Sequence, residues 1–216
     1  SKADNESYVS CLNLQGIQKW SSAVESAPSS LIRRISTDTD MNLYVLGEAD
    51  GLNRTGFGGL DGFLVKLNSS GSVLWSKSFG TPSNDFVRGL DSDTTGVYVV
   101  GYTGAVVESG GLIDVDFENA SLVTGGIDPI YGPGGHEAFI IKFSPSGNEI
   151  WSSLLGTSWN DRADSVSVDV MGSLHVVGRS DSQGSSLKLF VVKLSTSGQR
   201  LWTQVLPEHV SSVADV

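Results

Sequence analysis

Lys66-Leu-Asn-Ser-Ser-Gly71-Ser-Val-Leu-Trp75 is the stretch from which the fold can be worked out. It joins an apolar run to a short turn and then to an aromatic residue, with the Trp four residues after a Gly. The chain repeats this arrangement at Gly16/Trp20, Gly71/Trp75, Gly147/Trp151 and Gly198/Trp202. Tight Gly-containing turns between short apolar runs are typical of hairpins. The pattern therefore predicts a repeated antiparallel β-unit.

Each unit contains four short segments in a constant order, which we number strands one to four. Around Trp75 they occupy residues 31–36, 43–47, 63–67 and 73–76. Strand one is a polar–apolar mixture, strand two ends in Gly, strand three ends in a Lys-containing run and strand four holds the Trp. Gly, Asn, Asp or Ser stands at the joints, as expected for strands, and no segment shows a sustained helical period.

The repeats divide the chain into units. Complete ones are expected at 29–80, 84–156 and 160–206, and the middle one carries an insertion at 104–137. Residues 1–28 match the second half of an earlier unit, and 207–216 resemble the start of a later one. Because the chain starts and stops inside repeats, we expect 1–216 to be one region of a longer array.

Several segments resemble the SBBP β-propeller repeat family: 80–85 (GTPSND), 97–103 (VYVVGYT), 58–67 (GGLDGFLVKL) and 70–75 (SGSVLW). The resemblance covers nearly the whole chain except the insertion, and the third unit departs most from it. It implies radially arranged four-stranded blades in large secreted or surface proteins, with no catalytic signature. Hairpin-joined strands in tandem units favour the same architecture. We therefore expect an all-β propeller segment of about three full blades with partial blades at both ends.

Composition excludes several functions. The net charge of −10 argues against nucleic-acid partners and anionic membrane surfaces, and no apolar stretch approaches the ~18 residues of a membrane helix. The single cysteine, Cys11, excludes an internal disulfide and a Cys-based zinc site. Cys11 occupies the strand-three slot of Lys66, Lys142 and Lys193, which we expect to be at least partly exposed because Lys keeps its charge in water.

No catalytic constellation emerges, and we expect no enzyme. Sialidase-type Asp boxes place Gly three residues before Trp and an Asp before the Gly, which these repeats do not. The Gly-rich stretches precede strands, so they are not dinucleotide fingerprints. His136, His175 and His209 lack partners at metal-binding spacing. The Trp residues at 20, 75, 151 and 202 are interpreted as blade-packing residues.

Two groups of oxygen ligands are candidates for calcium, although no resident cofactor is otherwise expected. Asp38, Asp40 and Asn42 alternate as in a short calcium loop, and the insertion holds Asp114, Asp116 and Glu118. Calcium needs six or more oxygens, and Asx side chains in hairpin turns explain the first group without metal.

Glycosylation sequons begin at Asn53, Asn68 and Asn119, as a glycoprotein would require.

The overall expectation is a non-catalytic structural or interaction scaffold of a secreted or cell-surface protein. Its partners would be other protein chains, further blades or copies of itself. The alternative is an enzyme or ligand-binding propeller, of PQQ or glycan-binding type, whose site lies in missing blades or in the 104–137 loop. In an antiparallel meander the loops after strands two and four emerge at one end. These loops are long and varied, so binding is expected on that rim.

Overall fold

The computed structural model describes residues 7–25, 29–52, 59–81, 83–104, 136–155, 160–180 and 188–206. Every regular element in these ranges is a β-strand. The strands are β1 Ser7–Leu12, β2 Gln18–Glu25, β3 Leu31–Thr37, β4 Leu43–Asp50, β5 Leu60–Leu67, β6 Val73–Phe79, β7 Asp85–Asp93, β8 Gly96–Thr103, β9 Glu137–Phe143, β10 Glu149–Leu155, β11 Asp161–Val168, β12 Leu174–Ser180, β13 Lys188–Leu194 and β14 Arg200–Leu206. No helix in the described ranges is long and apolar enough to cross a membrane.

The strands form three four-stranded antiparallel meanders and one two-stranded hairpin. Blade 1 is β3-β4-β5-β6, blade 2 is β7-β8-β9-β10, blade 3 is β11-β12-β13-β14, and β1 pairs with β2. This confirms the predicted all-β fold with propeller-type blades. The strands of the blades lie within the predicted units 29–80, 84–156 and 160–206. The predicted start of another blade at 207–216 lies outside the described residues.

The turn between strands three and four of each blade follows from its sequence. In blade 1, Gly71 N donates a 2.9 Å hydrogen bond to Asn68 O, while Asn68 Oδ1 accepts from the backbone N–H groups of Ser70 and Ser72. Gly71 has a φ of 84°. A side chain rarely adopts this left-handed conformation, so the turn selects Gly.

The hydrophobic core lies between the blades. Tyr44 and Leu46 of blade 1 pack with Val87 and Phe139 of blade 2, and the equivalent cluster joins blades 2 and 3. Polar bonds between the first strands accompany this packing, such as the 2.8 Å bond from Val168 N to Asp91 Oδ2. Because each blade buries its faces mainly against its neighbours, the repeats depend on one another for stability.

The expectation that the strand-three lysine slot is exposed is wrong for two blades. Lys66 and Lys142 are buried, with relative exposures of 6% and 5%. Lys66 Nζ lies 3.1 Å from Asp38 Oδ2 and 4.8 Å from the centre of the Tyr44 ring. Asp38, in the turn between strands one and two, therefore compensates the charge of the buried Lys66 ammonium on strand three.

Candidate functional site

Several polar side chains lie at the end of the blades where the loops after strands two and four emerge. At this rim, Asn84 Oδ1 accepts a 2.9 Å bond from Leu60 N, and Asn160 Oδ1 accepts a 3.0 Å bond from His136 N. Asp161 N donates a 2.6 Å bond to His136 O. These contacts connect the third strand of one blade to the segment that enters the next blade.

Asp61 and Asp85 form a buried carboxylate pair at this end of the seam between blades 1 and 2. Their exposures are 2% and 1%, and a side chain on Gly80 would collide with an oxygen of each. Burial, followed by the charges of Asp85 and Asp50, raises the pKa of Asp61 to about 7. Asp61 Oδ1 has no hydrogen-bond partner within the described ranges.

Asp85 accepts hydrogen bonds that Asp61 Oδ1 lacks among the described residues. Burial raises its pKa to about 6, although hydrogen bonds from Thr81 and Thr103 act in the opposite direction. Thr81 N donates to Asp85 Oδ2 at 2.5 Å.

Glu137 and Asp161 are the counterparts in the seam between blades 2 and 3. Glu137 is 9% exposed and Asp161 is 1% exposed. Burial, and secondarily the charge of Asp161, raises the pKa of Glu137 to about 8. Both pairs are too enclosed to reach a substrate, so the structure gives them a role in the seam rather than in catalysis.

Sequence reasoning did not identify these pairs. A signal for them exists, since an acidic residue stands two positions before the strand-three Phe in 58–63 and in 134–139, and Asn-Asp opens the next blade in both cases. In the third unit Lys188 occupies the acidic position.

A group of cationic and aromatic side chains lies beside the Glu137/Asp161 pair. Tyr102 stacks on Phe86, with ring centroids 4.8 Å apart. The guanidinium carbons of Arg88 and Arg162 lie 5.3 and 4.7 Å from the centre of the Tyr102 ring. His136 meets the same ring edge-on at 5.2 Å. We call Arg88, Tyr102, His136 and Arg162 the arginine–tyrosine cluster.

The position of Arg88 follows from a β-bulge that recurs in each first strand. The pairing of the first two strands skips Arg33, Arg88 and Asp164 in blades 1, 2 and 3. A bulged residue redirects its side chain. Each of the three then contacts a residue of strand two: Arg33 pairs with Glu48, Arg88 Nη2 donates to Tyr102 Oη at 3.0 Å, and Asp164 pairs with Arg179.

Among the calcium candidates in the described ranges, Asp38 has both carboxylate oxygens engaged by its own turn. Asp38 Oδ1 accepts hydrogen bonds from Asp40 N and Asn42 N, and Asp38 Oδ2 accepts from Asn42 Nδ2 while it pairs with Lys66. Asp38 therefore acts as a turn residue and lysine partner. No group of three or more His, Cys, Asp or Glu side chains suited to a metal occurs in this part of the chain. Asp114, Asp116 and Glu118 lie outside the described residues.

Of the three glycosylation candidates, only Asn68 lies in a described range. It stands in the turn before Gly71, beside the exposed residues Ser69 and Ser70. Asn53 and Asn119 lie outside the described residues, as does most of the 104–137 insertion.

The repeated Trp residues contact the following blade. Trp20 packs on Gly71, Trp75 on Gly147 and Trp151 on Gly198. Trp202 stands in the fourth such position and is 43% exposed.

Comparison with known proteins supports the class of fold. The chain is 28% identical over 118 residues to an uncharacterized WD repeat-containing protein of Acanthamoeba polyphaga mimivirus. The match covers 54% of this chain and 8% of the relative. No family model matches the chain. WD repeats are propeller blades, so the relative agrees with a β-propeller-like repeat protein, while the SBBP type stays a prediction.

Proposed function

We propose that the chain is a non-catalytic interaction scaffold whose blade 3 packs against a further blade, supplied by the same polypeptide or by another chain such as a second copy. The observation that carries this proposal is the open face of blade 3. In blade 1 the corresponding face is covered by blade 2, and Tyr44, Leu46 and Leu64 have exposures of 1%, 0% and 0%. Burial of such side chains is the main favourable term in blade association.

The equivalent residues of blade 3 lack this cover. The strand pairings place His175, Val177 and Val191 in the slots of Tyr44, Leu46 and Leu64, and all three are only half-buried. Trp202 of the same face is 43% exposed. Side chains that the repeat buries elsewhere therefore remain available to a partner.

The chain also presents the complementary surface. Gly71, Gly147 and Gly198 each lie under a Trp of the preceding repeat, whereas a Cβ added to Gly16 would meet no atom of the described residues within 4 Å. Gly16 has a φ of 75°, like the covered glycines. Trp202 is therefore suited to pack on a turn like that of Gly16, which between two copies of residues 1–216 gives a head-to-tail contact.

Sedimentation velocity over a range of protein concentrations tests this function. We expect concentration-dependent association that Trp202→Glu abolishes, because a charge would be buried at the contact. Val205→Glu is the matched control: Val205 is 51% exposed and lies in the regularly paired part of β14, where a separation of three residues from Trp202 places it on the opposite side. A wild-type protein that stays monomeric at every concentration, or equal losses in both variants, would contradict the proposal.

We extend the proposal to a secreted or cell-surface location. Its support is the sequon at Asn68, whose turn includes the exposed residues Ser69 and Ser70, since glycans occupy surface turns. Intact-mass analysis of the protein from its native source should show a glycan on Asn68 that Asn68→Gln removes. Unmodified Asn68 would remove this support and leave the scaffold function in place.

A further inference from the structure

We propose that Arg88 and Arg162 of the arginine–tyrosine cluster bind an anionic group, a carboxylate or a phosphate, on a partner polypeptide. The inference rests on the proposed scaffold function, for which it adds a second contact site and a ligand chemistry. Arg88 belongs to β7 and Arg162 to β11, so the site spans the first strands of blades 2 and 3.

The first strands carry four arginines, although β7 and β11 also carry more aspartates than arginines. The net charge is −10, yet β3, β7 and β11 carry Arg33, Arg34, Arg88 and Arg162. First strands of adjacent blades also contact each other directly, as the 3.2 Å approach of Ser36 Oγ to Ser92 Oγ shows for blades 1 and 2. Of these arginines, Arg88 and Arg162 contact the same side chain, Tyr102.

The bulge slot distinguishes blade 2 from its neighbours. In blade 1 the guanidinium of Arg33 pairs with the buried carboxylate of Glu48, and in blade 3 Asp164 pairs with Arg179 at 2.8 Å. In blade 2 the residue opposite Arg88 is the phenol Tyr102. Within the described ranges, Arg88 and Arg162 make no ion pair. The charge of the bulged residue is therefore neutralised in blades 1 and 3, whereas no described residue neutralises the charge of Arg88 in blade 2.

Both guanidinium groups contact Tyr102. Arg88 Nη2 donates to Tyr102 Oη at 3.0 Å, and Arg162 lies over the ring at 4.7 Å. A guanidinium has five N–H donors, so each Arg retains donors for a ligand. Cation–π contact leaves the positive charge in place, whereas a carboxylate partner would neutralise it.

One of the two nearby acids, Glu137, contributes little negative charge at neutral pH. Glu137 and Asp161 are enclosed in the seam, and burial raises the pKa of Glu137 to about 8. The Glu137 carboxyl is therefore mostly protonated and uncharged at pH 7. His136 also contacts the Tyr102 ring, and its Nδ1 is buried without a hydrogen-bond partner in the described part of the chain.

The ligand class follows from these groups. Paired guanidinium groups bind carboxylates and phosphates through charge-assisted, often bidentate hydrogen bonds. The net charge of −10 would repel a polyanion such as nucleic acid over longer distances. A single anionic side chain on a protein partner, a glutamate, aspartate or phosphoserine, is therefore the ligand that the site favours.

Fluorescence anisotropy with three labelled peptides tests the proposal: one neutral sequence that carries a single glutamate, a single phosphoserine or a single glutamine at its centre. We expect wild-type protein to bind at least one anionic peptide, and which one binds tells carboxylate from phosphate. The double variant Arg88→Gln/Arg162→Gln should weaken binding by about tenfold or more, as expected for lost charge-assisted bonds. Arg200→Gln removes one positive charge from β14, outside the cluster. It should alter the affinity less than about twofold.

Absence of binding to both anionic peptides, or an equal effect of Arg200→Gln, would overturn the site. Circular dichroism establishes that each variant is folded, and Arg88→Lys/Arg162→Lys, which keeps the charge, should bind more weakly than wild type if the fork geometry matters. Sedimentation of the double Gln variant separates the two proposals. It should associate like wild type, because Trp202 and the Gly16 turn are unchanged, so loss of peptide binding and loss of self-association are distinguishable outcomes.

Discussion

The indole Nε1 of Trp75 donates a 3.0 Å hydrogen bond to the carbonyl oxygen of Pro145, a residue 70 positions further along the chain. Trp20 makes the same bond to Ser69 O and Trp151 to Thr196 O, both at 3.0 Å. In each case the acceptor stands two residues before the turn glycine of the next repeat. The Gly and Trp of the repeated motif therefore meet across blades and not within one unit.

Replacing Trp75 with Phe should lower the free energy of unfolding by roughly 1 kcal/mol, because the ring packing is largely kept and the bond to Pro145 O is lost. Trp202→Phe is the matched control, since Trp202 packs on no turn glycine in the described ranges, and should have almost no effect. Urea denaturation followed by circular dichroism measures both. Equal losses in the two variants would show that the bond across the blades contributes nothing.

Gly147→Ala and Gly16→Ala separate backbone strain from the contact with Trp. Both glycines have positive φ, 84° and 75°. A Cβ on Gly147 would lie 2.8 Å from Trp75 Cδ2, whereas Gly16 is open. Gly16→Ala should therefore cost only the left-handed backbone term of about 1–2 kcal/mol, and Gly147→Ala more. Equal thermal unfolding temperatures for the two variants would contradict the packing of Trp75 on this turn.

The repeat pattern was sufficient to predict the fold because strand period and turn chemistry are local properties. The four Gly–Trp turns and the strand-two glycines place the hairpins, and the meander follows from their order. The exposure of Lys66 could not be predicted in this way. Its burial depends on Asp38, which lies two strands away and whose oxygens were equally compatible with a turn or with calcium.

The arginine–tyrosine cluster illustrates the same limit for the site. Arg88 and Arg162 stand in variable first strands with no motif, and Tyr102 occupies the strand-two position of Glu48 and Arg179. Their proximity results from bulges and from the stacking of neighbouring blades. Only the general location, the rim with the varied loops, could be predicted from the sequence.

Lys66→Met and Lys193→Met should differ sharply in stability. The Lys66–Asp38 pair is enclosed, with side-chain exposures of 7% and 11%, whereas Lys193 and Asp169 are 24% and 29% exposed. Removing one partner of a buried pair leaves an uncompensated charge and costs about 3–5 kcal/mol, while an exposed pair contributes about 1 kcal/mol or less. Chemical denaturation should show this order. A smaller loss in Lys66→Met than in Lys193→Met would mean that Asp38 finds other compensation.

The buried carboxyl groups should make the protein more stable in mild acid than in mild base. The pKa values of Asp61, Asp85 and Glu137 are raised to about 7, 6 and 8, chiefly by burial, above the ~4 of these groups in an unfolded chain. Between these limits the folded state binds more protons, so its stabilisation is complete below about pH 4 and is lost as the pH rises through about 6–8. The free energy of unfolding should therefore fall from about pH 5.5 to about pH 8.5.

The double variant Asp61→Asn/Glu137→Gln should flatten this dependence, because neither amide titrates, while the exposed Asp40→Asn should keep the wild-type slope. Measurements should stay above about pH 5, since the lowered pKa values of Asp38 and Asp93 introduce an opposite loss in stronger acid. Burial raises the pKa of Asp38, but hydrogen bonds from Asn42 and Lys66 lower it by more. Burial likewise raises the pKa of Asp93, and hydrogen bonds from Thr95 and Tyr98 lower it by more. Stability that increases towards pH 8.5, or an unchanged slope in the double variant, would show that the carboxyl groups in the seams are not the groups that retain these protons.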